Sequence, residues 1–146
     1  MRISYQLKLQ LTAICVFLSL SLGVWAFIIK QATDDSKHAL TKQLSTFAEI
    51  INNRYVVAYV AGVDSVKAVL PKELRVSLID AKGKVFYDNF VKDYKQLENH
   101  LNRPEIVSAG KGEALPVIRR SESTGMPYLY FARTYANYYG RVALPY

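Results

Sequence analysis

The run Leu9 to Ile29 holds twenty-one residues without a charge, closed by Lys8 on one side and Lys30 on the other. At about 1.5 Å of rise per residue, a helix of that length reaches roughly 30 Å, the thickness of a bilayer's hydrocarbon core. A helix in the core of a soluble protein is rarely so long and apolar on every side. One transmembrane helix over residues 9–29 is therefore expected. Thr12, Ser19 and Ser21 can return their hydroxyl hydrogens to carbonyls one turn back. Trp25 and Phe27 lie near the far end, where aromatic rings favour the interface.

The flanks set an orientation. Residues 1–8 carry Arg2 and Lys8 and no acid, whereas the far side meets Asp34 and Asp35 soon after Lys30. The positive-inside rule then leaves the N-terminus in the cytoplasm and residues 30–146 outside it. A cleaved secretory signal fits less well. Its apolar core spans about 7 to 15 residues and ends at small side chains, and Val24 to Lys30 are mostly bulky.

Composition bounds what lies beyond the helix. Three of the nineteen basic residues, Arg2, Lys8 and Lys30, flank the apolar run, leaving sixteen against all twelve acids in residues 31–146. A net charge of +4 there is too mild for a nucleic-acid surface, and no nucleic-acid partner is expected. The 116 residues suit one domain. The only cysteine, Cys15, falls inside the apolar run, so the domain has no disulfide and no thiolate metal site.

Along the domain, Leu40, Leu44, Phe47, Ile51, Tyr55 and Ala58 recur at steps of three and four, with Lys42, Glu49 and Asn53 opposite. This predicts a long amphipathic helix over 31–60, continuous with the membrane helix or bent or capped at Thr33 to Ser36. Gly62 and Asp64 break the pattern, and Asp64 suits the cap of a short helix ending before Pro71. The sheet and a helical insertion occupy 75–146. Arg75 to Asp80 and Val85 to Asn89 read as strands, joined through Asp80-Ala-Lys-Gly-Lys84 in a tight, bulged hairpin. Tyr94, Leu97 and Leu101 suggest a helix, and Asn102 with Glu105 three positions on suggests the cap of another, with Pro104 in its first turn. Three strands follow: about Leu115 to Glu122, Tyr128 to Tyr135 and Gly140 to Leu144. The fold class expected is α+β, with a long helix packed on a five-stranded antiparallel sheet.

The segments Arg75-Val-Ser-Leu-Ile-Asp-Ala-Lys-Gly-Lys-Val-Phe-Tyr-Asp88, Glu98-Asn-His-Leu-Asn-Arg-Pro-Glu105, Tyr130-Phe-Ala132 and Arg141-Val-Ala-Leu-Pro145 resemble the extracytoplasmic sensor region of phosphate-regulon-type sensor histidine kinases. The resemblance covers most of the chain. It implies a PAS-like, Cache-type domain anchored in the bacterial inner membrane, a homodimer, and signalling in a two-component system by displacement of helices. It also implies a parent protein that continues past Tyr146 into a second membrane helix and a kinase region. The present residues contain no His-Glu phosphoacceptor motif and no Gly-rich nucleotide loop. A chemoreceptor or cyclase input domain is a close alternative. A pilin-like structural subunit is a more distant one, because Met1 to Leu22 lack the glutamate it predicts.

No catalytic constellation, metal site or cofactor is expected in these residues. His38 and His100 stand too far from other ligand types to hold zinc, and His100 suits a structural hydrogen bond beside the following helix. Asp80 and Asp88 read as caps of a turn and a strand end. The best binding candidates are Arg119 and Arg120 on the third strand, Arg133 on the fourth, Arg103 from the insertion, and Tyr130 beside them. They suit a small anion or an envelope ligand gripped in bidentate fashion. Because side chains alternate across a strand, Arg119 and Arg120 face opposite ways and only one of them lines any given pocket. The competing reading pairs these arginines with Asp88, Glu105 or Glu122, the commoner fate of such charges. The tyrosines at 128, 130, 135, 138 and 139 suit either packing or a partner surface.

Overall fold

The computed structural model describes residues 4–58, 70–122 and 124–146, with side chains for all of these except 54–58. The short helix expected around Asp64, and the side chains of Tyr55 and Ala58, lie outside the described residues. The chain falls into two units, Met1–His38 and Ala39–Tyr146.

Helix α1 spans Tyr5–Ala58. It continues through Thr33 to Ser36, so no cap interrupts it there. Helix-forming side chains and the absence of Pro account for this, and Thr33 merely returns its hydroxyl to Ile29 O at 2.9 Å. In the first unit Thr12 and Ser19 do the same, to Lys8 O at 2.5 Å and Val16 O at 2.8 Å. The hydroxyls therefore cost the helix nothing in an apolar medium. The segment is long and apolar enough to cross a membrane, and its large side chains lie exposed, Phe17 at 70 % and Trp25 at 63 %.

In the second unit five strands form one antiparallel sheet: β1 (Arg75–Asp80), β2 (Val85–Asp88), β3 (Val117–Arg120), β4 (Pro127–Thr134) and β5 (Tyr138–Pro145). Their order is β2-β1-β5-β4-β3, so the last strand in sequence fills the middle. Period-two alternation then makes two layers of core. On one face Val76, Leu78, Leu129, Phe131, Val142 and Leu144 pack against Leu44, Ala48 and Ile51 of α1. On the other, Ile79, Val85 and Ala132 pack against Ile106 and Ala109 of helix α2 (Pro104–Gly110).

Two expectations for the insertion change. The helix expected over Tyr94 to Leu101 is a single 3-10 turn, Tyr94–Gln96. Its apolar residues Tyr94 and Leu97 pack on the second core without further helix. The residue capping α2 is Arg103, with no side-chain cap, and not Asn102. Glu105 has left the capping role because arginines on the sheet claim its carboxylate. The third strand is also shorter than Leu115 to Glu122, at Val117–Arg120.

The first hairpin follows its local chemistry. The Asp80 carboxylate accepts from the amides of Lys82 at 2.8 Å and Lys84 at 2.9 Å, and Gly83 takes φ +85°. A register shift between Leu78 and Ile79 marks the bulge. The turn in addition holds the insertion. His100 N donates to Gly83 O at 2.8 Å, and Asn99 Nδ2 donates to Lys82 O at 2.7 Å. A Cβ on residue 83 meets Asn99 Oδ1 and lies 2.7 Å from Leu101 N. Gly83→Ala is expected to destabilise the domain by at least about 1–2 kcal/mol, from the positive φ and the displaced 99–101 segment. Urea midpoints of the two proteins check this, and equal midpoints would contradict it.

Candidate functional site: an arginine-lined cleft

The sheet face turned away from α1 carries a polar row that the register lines up. Ser77 on β1 pairs with Asp88 on β2 and with Arg141 on β5, so the three side chains stand side by side on one face. Arg141 Nη2 donates to Ser77 Oγ at 2.9 Å, and Ser77 Oγ donates to Asp88 Oδ2 at 2.8 Å. Arg75, two residues before Ser77 on the same face, donates to Asp88 Oδ2 through Nε and Nη2, each at 3.1 Å. The other Asp88 oxygen accepts the amides of Phe90 and Val91. Asp88 thus caps its strand end, as its position suggests, and at the same time anchors two buried arginines.

The second half of the cluster comes from α2 and β3. Glu105, fully buried, receives Arg119 Nη2 at 3.0 Å and, at a longer 3.4 Å, Arg141 Nη1. Tyr130 lies beside both guanidiniums, with Arg119 at 4.0 Å and Arg141 at 5.3 Å from its ring centroid, both within cation–π range. Burial by itself would raise the Glu105 carboxyl. The Arg119 hydrogen bond and the charges of Arg119 and Arg141 outweigh it, and the pKa ends below the usual carboxylate range. Burial pulls Arg141 down to about 10, opposed by Glu105 and reinforced by Arg75 and Arg119, so it keeps its charge at neutral pH. Two buried atoms, Glu105 Oε2 and Arg119 Nε, have no hydrogen-bond partner among the described residues.

Above this cluster opens a cleft of about 200 Å³, reached by Arg75, Arg103, Arg119, Arg141, His100 and Tyr130 and walled by Gln96 and Leu97. Arg103 holds Glu122 in a two-pronged pair, at 2.7 and 2.9 Å. Of the residues singled out in the sequence, Arg103, Arg119 and Tyr130 meet here. Arg120 and Arg133 do not. Strand parity sends both to the other face, where Arg120 donates to Gly125 O and Arg133 pairs with Glu49 of α1 at 2.6 Å. Competing ion pairs do form, Arg119 with Glu105 and Arg103 with Glu122, while Asp88 serves Arg75. Arg75, Arg141 and His100 complete the cleft and were not singled out as ligands. Arg75 and Arg141 stand on different strands, and only the β1–β5 register shows that their side chains share one face. The tyrosines divide by packing: Tyr128 and Tyr130 are buried, and Tyr135 and Tyr138 bond Ala48 O and Asn52 Oδ1 of α1.

His100 sits at the cleft wall with Nδ1 2.6 Å from Glu98 O. Burial lowers its pKa, and so do the charges of Arg141, Arg103 and Arg119, against the hydrogen bond to Glu98. The unfolded chain, titrating near the ordinary 6.5, therefore binds this proton first. Stability from His100 is complete above about pH 6.5 and declines as pH falls from there toward the native pKa. The lowered carboxyls of Glu105 and Glu122 act separately: their contribution holds above the ordinary 4.5 and is lost as pH falls through their native values. His100→Gln is expected to flatten the fall in urea midpoint between about pH 7 and about pH 5. An undiminished fall in the variant would assign it to other groups.

Compared with protein-family models, with curated proteins and with solved structures, the chain matches none.

Proposed function

We propose that the chain is the extracytoplasmic sensing region of a bacterial two-component sensor histidine kinase, a PAS-like, Cache-type domain anchored in the inner membrane with its N-terminus in the cytoplasm. One observation carries the reading. Helix α1, which contains the apolar run, also supplies Leu44, Ala48 and Ile51 to the core beneath the sheet. A stimulus that changes how the sheet packs on those residues acts on the helix that holds the membrane segment, and signal transduction is the resulting shift between two packings. The kinase activity belongs to the parent protein, with no catalytic role for these residues. The resemblance supports a homodimer as the signalling unit.

The test is the reading frame past Tyr146 together with a reporter. A second apolar run followed by a His-Glu phosphoacceptor helix and a nucleotide-binding domain is expected. A methyl-accepting or cyclase region there replaces the kinase output with that of the chemoreceptor or cyclase alternative. A reporter that is active only outside the cytoplasm, fused after Tyr146, is expected to be active, and a silent one reverses the orientation.

A further inference from the structure

We propose that the β4–β5 hairpin is a coupling element that grips α2 with one face and α1 with the other, and so carries a displacement of α2 to the helix that holds the apolar run. This deepens the sensing reading and rests on it only for the purpose of the coupling.

Strand alternation sends neighbouring hairpin residues to opposite faces of the sheet. Thr134 and Tyr139, paired across the hairpin, face α2. Thr134 Oγ1 donates to Ala109 O, in the last turn of α2, at 2.7 Å. Tyr139 packs against the cluster that contains Ile106 and Ala109, and its hydroxyl lies 3.4 Å from the place a Cβ on Gly110 takes. Their neighbours reach α1. Arg133 Nη1 donates to Glu49 Oε1 at 2.6 Å, Tyr135 OH to Ala48 O at 3.0 Å and Tyr138 OH to Asn52 Oδ1 at 2.7 Å. Residues 48, 49 and 52 span little more than one turn, so the grip acts at one level of α1.

A hairpin that transmits displacement must be stiffer than the contacts it works against. Tyr135 N donates to Tyr138 O at 2.8 Å and closes the turn. The Tyr135 and Tyr138 rings lie 5.2 Å apart, and Tyr138 meets Phe86 of β2 edge-on at 6.3 Å. The missing side chain at Gly140 seats the Tyr135 ring, because a Cβ there stands only 2.8 Å from Tyr135 Cε2.

The grip is also specific to one register of α1. A slide of one turn, about 5.4 Å, brings Ser45 or Asn53 to the place of Glu49, and Ala48 or Val56 to the place of Asn52. Neither Ser45 nor Asn53 offers Arg133 a carboxylate, and neither Ala48 nor Val56 offers Tyr138 a side-chain acceptor. Apolar contacts such as those of Leu44 with the sheet are non-directional. The hairpin bonds are directional, and they make α1 follow the hairpin instead of slipping past it.

The experiment is hydrogen exchange on the full chain in detergent, followed at amides 44–53 of α1, 104–110 of α2 and, as a reference, 85–88 of β2. Ala109→Gly loosens α2 and is expected to speed exchange in both helices, in α1 by about threefold or more, the scale of one neutral hydrogen bond, with β2 changing less. With Tyr135→Phe and Tyr138→Phe, which keep both rings and delete the hydroxyls, α1 is expected to lose most of that response while α2 keeps its own. Gly140→Ala, which unseats the Tyr135 ring and meets neither helix within 4 Å, is expected to diminish the α1 response as well. An α1 response equal with and without the hydroxyls overturns the proposal. So does a rise spread equally over α1, α2 and β2, which is loss of overall stability, or an unchanged α1 beside a loosened α2. These exchange rates need no output region, so a failed coupling and a failed sensing reading give different results.

Discussion

Glu105→Ala is expected to lower the domain's stability by about 3–5 kcal/mol, the cost of removing one partner from a buried ion-pair cluster. Glu105 is fully buried, and its Oε1 is the acceptor for Arg119 and Arg141. Alanine leaves both guanidiniums beside Tyr130 without that acceptor, with Asp88 4.0 Å from Arg141. For a domain of this size the midpoint of thermal unfolding should drop by about 10 °C or more. Glu105→Gln keeps an acceptor oxygen for Arg119 and loses only the charge, so its drop should be smaller. The readout matters, because most helical signal comes from α1 (Tyr5–Ala58), whose first part contributes nothing to the domain core. Near-ultraviolet dichroism follows the packed aromatic side chains, the buried Tyr128 and Tyr130 among them. A Glu105→Ala protein within about 1 kcal/mol of the wild type would mean that water, not Glu105, compensates these arginines.

Leu44→Ala is expected to cost about 2–5 kcal/mol, the range for truncating a leucine in a core that cannot collapse around the gap. Leu44 is fully buried and touches the layer formed by Val76, Leu129 and Val142. Ile50, six residues on and 36 % exposed, is the control, and Ile50→Ala should cost less than about 1 kcal/mol. Denaturant midpoints separate the two. Equal losses would show that the α1 face toward the sheet is not the one assigned. In the proposed sensor the same substitution loosens the grip of the sheet on α1 and should reduce the response of a full-length protein to its stimulus.

The features most legible in the sequence are those set by neighbours along the chain. Twenty-one uncharged residues between two lysines make a helix that must find an apolar medium, whatever the rest of the chain does. The Asp80 to Lys84 hairpin is likewise local, since one carboxylate and one glycine satisfy the turn. The stripe through Leu40, Leu44, Phe47 and Ile51 shows which side of α1 is buried, because a helix repeats every 3.6 residues.

The site is where local reasoning failed, and each failure has its cause. Asn102 and Glu105 have the spacing of a helix cap, but a cap is worth about 1 kcal/mol, less than the pull of two guanidiniums on one buried carboxylate. Parity along β3 parts Arg119 from Arg120, yet only the placement of α1 and α2 on opposite faces says which of them reaches a cleft. Arg75 and Arg141 look like ordinary strand charges until β5 slots between β1 and β4 and sets Arg141 opposite Ser77. Hydrophobic periodicity and turn chemistry act over a few residues, so they can be read along the chain. The partners of a buried charge lie far apart along the chain, 64 positions for Arg141 and Ser77, and strand pairing brings those two together.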